Sequence, residues 1–330
     1  HTDGVPGKLI DVLAVFALLA GTATTFSLAT PLMSRAICEI FGIADSKWLT
    51  IGILTFTCLV YTVSVMRGMK GVRWLAESCM YIFFALLIYV LLLGGETVYI
   101  LETGFTAIGN LVQNFIGLST YTDALRESSF PQNWTIFYWA YWMVWCVASP
   151  FFMGSISRGR TVRQVVIGAY AFGLSSTFIS FIILGNYSLG LEMHGVMDVM
   201  GLYAANGDLY ETIIAILHTL PMPEIVMVVL VLSMVAFYAT SFDSITLVAA
   251  NYSYREMKED GDSSPGMKLF WSILLIMLPV ALIFSENSMS NLQTVSIIAA
   301  FPIALVIALI ILSFLRDGKR YLREGSHTSS

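Results

Sequence analysis

The stretch Trp134-Thr-Ile-Phe-Tyr-Trp-Ala-Tyr-Trp-Met-Val-Trp145 places four tryptophans, two tyrosines and one phenylalanine within 12 residues and contains no charged side chain. Its apolar character predicts a membrane-spanning helix. Aromatic residues that face lipid concentrate at helix ends, and Trp134 fits such a belt. The deeper rings are more numerous than a belt requires, so we expect them to face the inside of the protein.

The rest of the chain is equally apolar. Of 330 residues, 57% are hydrophobic and 12% are charged, whereas soluble domains carry about a quarter charged residues. Eight apolar runs of about 20 residues, the length that crosses a bilayer as a helix, lie at 8–36, 48–66, 74–100, 134–155, 162–186, 223–252, 267–286 and 290–315. The sequence therefore predicts an all-α integral membrane protein with a single transmembrane domain, 1–330.

Basic residues fall mainly on one side of this arrangement. If the first helix starts inside, Lys8, the loops 67–73, 158–163 and 253–268 and the segment after 315 share that side, which holds 14 of the 17 Lys and Arg residues. Loops on the cytoplasmic side are enriched in these residues. We therefore expect a multi-pass protein of the plasma or inner membrane, with both ends of this chain in the cytoplasm and 316–330 as a short cytoplasmic tail.

Two connections on the opposite side are long. The segment 101–133 contains an apolar periodic stretch from Ile108 to Ile116, which is typical of a helix lying along the outer interface. The second, 187–222, is rich in glycine and ends in a short helical pattern. Each connection either forms a lid or simply covers the outer ends of neighbouring helices.

Four aromatic residues of the opening stretch share one helical face, because Tyr138, Tyr141, Trp142 and Trp145 follow the spacing i, i+3, i+4 and i+7. Such a face suits a quaternary ammonium group, which has no N–H to donate and is held by ring quadrupoles at about 0.5–2 kcal/mol per contact. Helix packing explains the same pattern. The spacing alone leaves both interpretations open.

A longer motif surrounds this face. Phe130-Pro-Gln-Asn-Trp-Thr-Ile-Phe-Tyr-Trp-Ala-Tyr-Trp142, continued by Ile156-Ser-Arg-Gly-Arg-Thr-Val-Arg163, resembles the signature of the betaine/choline/carnitine transporter (BCCT) family. Shorter matches are Gly21-Thr-Ala-Thr24, Leu28-Ala-Thr-Pro-Leu32, Lys70-Gly-Val-Arg73, Tyr121-Thr-Asp123 and Thr240-Ser-Phe-Asp-Ser244. The resemblance covers nearly the whole chain.

This resemblance implies a twelve-helix, leucine-transporter-type fold with an inverted repeat, of which the eight predicted helices match helices five to twelve. The chain begins with His1 rather than Met, so we expect it to be the C-terminal two-thirds of a longer protein and to hold half of each ligand site. Family resemblance also implies a homotrimer.

The resemblance assigns roles to individual residues. The substrate cage falls on Tyr141 and Trp142, where most members have two tryptophans, and Trp145 is the next aromatic residue on that face. Phe237, Thr240 and Ser241 match the positions that line a sodium site in sodium-coupled members. Sodium-independent exchangers carry an arginine at the position of Cys79, so no fixed cation competes for the ion here.

Asp243, towards the inner end of the sixth apolar run, is a further candidate. Asp243 lies about one turn from Thr240 and Ser241, and a charge within the bilayer is costly enough to indicate a function or a partner. We expect it to tune the ion site or to pair with Arg158 or Arg160 at an inner gate.

The predicted function is therefore sodium-coupled symport of betaine, choline or carnitine by alternating access. The alternatives are a sodium-independent carnitine exchanger and a non-transporting osmosensor or receptor on the same scaffold. All four histidines lie outside the predicted spans, and the sequence contains no nucleophile elbow, metal-ligand cluster or phosphate loop. We therefore expect no enzyme activity, no nucleic-acid partner and no cofactor, with sodium as the coupling ion.

Overall fold

A computed structural model of the chain describes residues 4–128, 130–146, 149–157, 159–254, 263–283 and 288–327, and these parts consist of helices and loops without a β-strand. The first half contains α1 (Val5–Phe41), α2 (Lys47–Met66), α3 (Met69–Leu93), α4 (Thr97–Thr120), α5 (Phe137–Trp145) and α6 (Ser149–Ile156). The second half contains α7 (Val162–Ser180), α8 (Asn186–Met193), α9 (Val199–Asn206), α10 (Leu209–His218), α11 (Pro223–Tyr252), α12 (Pro265–Ile283) and α13 (Ser288–His327).

Long apolar helices confirm the predicted class, an all-α membrane protein. Within the described residues, six helices are long and apolar enough to cross a membrane: Gly7–Phe41, Lys47–Met66, Lys70–Leu93, Val162–Met193, Pro223–Tyr252 and Ser296–Tyr321. The predicted span 267–286 corresponds to a shorter apolar helix, Pro265–Ala281, and 134–155 is described in shorter pieces. The count of eight spans thus stays a prediction.

The third predicted span is wrong at its C-terminal boundary. We expected a helix over 74–100, but α3 ends at Leu93 and α4 begins at Thr97. Gly95 between them has a φ of 86°, a left-handed conformation that glycine adopts without steric cost. The Thr97 hydroxyl donates a 2.5 Å hydrogen bond to the Leu91 carbonyl. Hydropathy does not detect this break because only Glu96 and Thr97 interrupt the apolar residues on either side of it.

Two helical regions contain π-helical turns. Pro131–Ile136 is π-helical and leads into α5, and Phe181–Gly185 is π-helical and joins α7 to α8. Each π turn adds one residue to a helical turn and rotates the face that follows, and such turns occur often at functional sites. The first therefore sets the direction in which the aromatic residues of α5 point.

α1 and α11 form the centre of the packed core. Phe26 on α1 stacks on Phe242 of α11 with ring centroids 4.2 Å apart, and both side chains are buried. Nearby, the hydroxyl of buried Tyr61 on α2 donates a 2.6 Å hydrogen bond to the Ser272 carbonyl of α12. These two contacts join α1 to α11 and α2 to α12 within the core.

The outer connections and the C-terminal segment are also helical. The segment 101–133 lies largely within α4, whose exposed apolar side chains include Phe105, Val112 and Ile116. The connection 187–222 contains the end of α8 together with α9 and α10. The segment predicted as a tail, 316–330, continues α13 as far as His327.

Candidate functional site

A cavity of about 270 Å³ lies between α1, α5, α6 and α11. Its lining residues are Thr25, Tyr141, Trp142, Trp145, Ser149, Ser241, Ser244, Ile245 and Val248. Small-molecule sites usually measure about 300–1,000 Å³, so this cavity suits a compact ligand. Thr25 and Ser241 lie near the middle of α1 and α11. The cavity therefore lies about halfway along these two helices.

Three aromatic side chains of α5 form one wall. The ring centroids of Tyr141 and Trp142 are 6.1 Å apart at an interplanar angle of 70°, and those of Tyr141 and Trp145 are 6.0 Å apart at 80°. Because neighbouring rings are nearly perpendicular, they present both faces and edges to the same space. A cation within about 6 Å of a ring face is attracted by the ring quadrupole.

Tyr138, the fourth residue of the predicted face, is placed differently. Its ring stacks on Trp134 at 6.1 Å and meets the edge of Phe137 at 5.7 Å, and 43% of the residue is exposed. It is not among the described residues that line the cavity. Tyr138 lies about one turn nearer the N-terminal end of α5 than Tyr141, so a shared helical face does not by itself bring it to the cavity.

Tyr141 is anchored to α1. Its hydroxyl lies 2.5 Å from the Thr25 hydroxyl, and the Thr25 hydroxyl donates a 2.9 Å hydrogen bond to the Gly21 carbonyl. α1 and α5 approach closely here, because a Cβ at Gly21 would lie 3.1 Å from Val144 and 3.3 Å from Trp145. Glycine at this position therefore brings the Tyr141 hydroxyl within reach of Thr25.

The three predicted sodium ligands lie on successive turns of α11. Ser241 lines the cavity, whereas the Thr240 hydroxyl donates a 2.9 Å hydrogen bond to the Phe237 carbonyl. The Phe237 ring meets the edge of Phe83 on α3 at 5.0 Å. Buried Cys79 on α3 lies beside Thr240. Of the three predicted ligands, Ser241 thus lies beside the aromatic wall, whereas the Thr240 hydroxyl is bonded within α11.

Asp243 is fully buried between α11 and α2. It accepts a 2.7 Å hydrogen bond from Ser64 and a 3.1 Å hydrogen bond from Ser244. Arg160 is exposed, and the described ion pairs include none between it and Asp243. Arg158, the other predicted partner, lies outside the described residues. The visible partners of the carboxylate are therefore two serine hydroxyls.

The lining determines what the cavity can bind. None of the described lining residues is charged, and no group of three His, Cys, Asp or Glu side chains in the described parts of the chain is arranged to hold a metal. Ring faces together with hydroxyl oxygens suit an organic cation without N–H groups. The sequence pointed to the aromatic wall and Ser241 but not to Thr25, Ser149 or Ser244 as lining residues; Ser244 ends the Thr240–Ser244 match, and the other two are marked only by a hydroxyl within an apolar span.

Comparison with known proteins agrees with this chemistry. The family description "BCCT, betaine/carnitine/choline family transporter" matches residues 1–322. A protein named carnitine transporter from Acinetobacter baumannii is 26% identical over 308 residues, which cover 93% of this chain and 56% of that protein. The chain therefore spans about half the length of this relative. The match over residues 1–322 shows that the chain belongs to the betaine/carnitine/choline transporter family, a family of carriers rather than of enzymes.

Proposed function

We propose that this protein carries quaternary-ammonium solutes across a membrane and binds their cationic group in the cavity beside α5. One observation carries the proposal: Tyr141, Trp142 and Trp145 line a single cavity, and none of the described residues that line it is charged. A primary amine or a guanidinium would leave N–H donors unsatisfied against ring faces. A trimethylammonium group has no such donors, so it gives up no hydrogen bonds to water when it enters the cavity.

Alternating access suits the position of the cavity. Secondary transporters bind substrate near the bilayer midplane, where one bundle of helices rocks against another. Here the ligand would contact α5 on one side and α11 on the other, with α1 between them. Movement of α5 relative to α11 would then change the side from which the solute is reached.

Sodium is the proposed coupling ion. Ser241 faces the same cavity as the aromatic wall, and sodium, a hard cation, prefers oxygen ligands such as hydroxyl and carbonyl groups. Phe237 and Thr240 contribute further oxygens on the adjoining turn of α11. A neutral cysteine, Cys79, lies next to Thr240, so no fixed positive charge opposes the ion.

A sodium-independent carnitine exchanger is the second candidate. The Thr240 hydroxyl donates its proton to the Phe237 carbonyl, so this bond engages one of the oxygens that an ion would require. The named relative is a carnitine transporter, which fits either mechanism. Sodium bound at the Phe237 carbonyl would compete with this hydrogen bond, whereas the Thr240 oxygen keeps its own lone pairs.

The remaining proposals concern location and assembly. We place the protein in the plasma or inner membrane with both ends of this chain in the cytoplasm, because the basic residues lie predominantly on that side. We also propose a homotrimer. Exposed apolar residues of α4, among them Phe105, Val112 and Ile116, provide a surface for contact with lipid or with another subunit.

Uptake into proteoliposomes tests the proposal. The full-length protein is supplied with labelled betaine, choline or carnitine, with sodium or potassium outside and with unlabelled solute either inside or absent. Symport predicts uptake that requires sodium and proceeds into empty vesicles. Exchange predicts uptake that ignores sodium and requires solute inside. Binding without uptake under either condition would overturn transport and leave a receptor.

A further inference from the structure

A second cavity, of about 130 Å³, lies between α1, α11 and α12. Its lining residues are Asp11, Ala14, Val15, Leu18, Ala249, Tyr252 and Trp271, and none of them lines the cavity beside α5. Asp11 is the one charged side chain among these described lining residues. The proposed function assigns no role to this space, which we call the Asp11 cavity.

The Asp11 cavity has a polar mouth and an apolar end. Asp11 and Trp271 are each the seventh residue of their helices, and Tyr252 is the last residue of α11, so all three lie near the same ends of the packed helices. Leu18 lies two turns further along α1, about 10 Å from Asp11 at a rise of 1.5 Å per residue. Asp11 is exposed, whereas Leu18 is buried. The cavity therefore opens at Asp11 and ends against Leu18.

The mouth suits a positive charge that can donate hydrogen bonds. The carboxylate of Asp11 accepts hydrogen bonds, and the described ion pairs include none that it forms. The Trp271 ring is held in place because its N–H donates a 2.8 Å hydrogen bond to the Ser253 hydroxyl. That N–H is therefore not directed at the cavity, and aromatic rings such as those of Trp271 and Tyr252 attract cations. A cationic group at the mouth would meet a carboxylate and two aromatic rings.

We infer that the Asp11 cavity binds an alkylammonium ion, which is a protonated primary amine with a short carbon chain. The N–H groups of this ion would donate charge-assisted hydrogen bonds to Asp11, and its chain would pack against Val15 and Leu18. A quaternary ammonium group has no N–H for the carboxylate, so the Asp11 cavity and the cavity beside α5 select different cations. The inference goes beyond the proposed function and does not depend on it.

A series of amines tests both ends of the cavity. Binding of ethyl-, propyl-, butyl- and octylammonium to the full-length protein in detergent is measured by isothermal titration calorimetry. From ethyl to butyl we expect the affinity to rise about three- to fourfold for each added methylene, because each CH₂ is buried against the apolar lining. Octylammonium, whose chain exceeds the distance from Asp11 to Leu18, should fall below this trend. Butan-1-ol, which has no charge, should bind about tenfold or more weakly than butylammonium.

Asp11→Asn tests the carboxylate itself. The change should weaken butylammonium binding about tenfold or more, the effect of losing one charge-assisted hydrogen bond. Glu77→Gln is the matched control, because it removes a carboxylate that pairs with Arg73 and does not line the cavity, and it should leave the affinity unchanged. Equal affinities in the wild type and Asp11→Asn, an affinity independent of chain length, or no binding of any amine would overturn the inference. Each of these results leaves the proposed function standing.

Discussion

Ser64 on α2 donates a 2.7 Å hydrogen bond to Asp243 on α11, and this bond joins two helices at a fully buried carboxylate. Ser244, the next residue on α11, donates to the same carboxylate and also lines the cavity. Asp243 therefore links the packing of α2 to one wall of the candidate site.

Replacement of Asp243 by alanine should destabilise the protein. The change removes the acceptor of Ser64, and a buried polar group left unsatisfied costs about 1–3 kcal/mol. Asp243→Asn retains an acceptor oxygen and should cost less. Thermal unfolding in detergent measures the difference. Ser233→Ala on the same helix is the matched control, because Ser233 bonds only within α11, to the Val229 carbonyl. Equal losses for Asp243→Ala and Ser233→Ala would contradict the role of the carboxylate.

Removal of the two candidate sodium hydroxyls should weaken ion coupling. In Thr240→Ala/Ser241→Ala, we expect the sodium concentration for half-maximal uptake to rise about tenfold or more, because the ion loses two ligands worth about 1.4 kcal/mol or more together. The measurement is solute uptake as a function of sodium concentration. Ser233→Ala should leave the half-maximal concentration unchanged. An unaltered sodium dependence in the double variant would exclude these residues as ligands.

Gly104 on α4 should not tolerate a larger side chain. A Cβ there would lie 2.4 Å from the Ile182 side chain, and overpacking typically costs about 1–3 kcal/mol. Ile182→Ala removes the clashing atoms, so the double variant should recover part of the loss from Gly104→Ala. Gly109→Ala, on the same helix and at a position where an added Cβ would meet no atom within 4 Å, should be neutral or slightly stabilising. Additive losses in the double variant would contradict this packing.

Cysteine labelling checks the proposed orientation. Lys70 and Met200 are both exposed and fall on opposite sides of the predicted membrane. In a background without Cys38, Cys58, Cys79 and Cys146, an impermeant maleimide added to intact cells should label Met200→Cys but not Lys70→Cys. After permeabilisation both should react. Labelling of Lys70→Cys in intact cells would reverse the topology.

The sequence predicted some features better than others, for physical reasons. Hydropathy located α11 at its observed bounds, 223–252, because Pro221 precedes it, Pro223 begins it and polar residues follow it. The third span was predicted too long because hydropathy does not register the left-handed turn at Gly95. Spacing along one helix brought Tyr141, Trp142 and Trp145 together, since those contacts are local.

Contacts between distant parts of the chain were beyond sequence reasoning. The Thr25 hydroxyl sits one residue after the recognised Gly21–Thr24 motif, yet nothing in the sequence indicates its bond to Tyr141. An arginine, Arg158 or Arg160, was one expected partner of Asp243; the structure shows hydrogen bonds from Ser64 and Ser244, and Arg158 lies outside the described residues. In both cases the packing of two helices, which periodicity does not specify, determines the partner.

The central claim is that the rings of α5 hold a positive charge, and comparison of choline with its neutral carbon isostere, 3,3-dimethylbutan-1-ol, tests it most directly. Shape and hydroxyl are the same in both compounds, so the difference in affinity measures the cation–π contribution. For the full-length protein we predict that choline binds about tenfold or more tightly than the isostere, as expected for two or three ring contacts, and that Trp142→Ala reduces this preference. Equal binding of the two compounds would contradict the account.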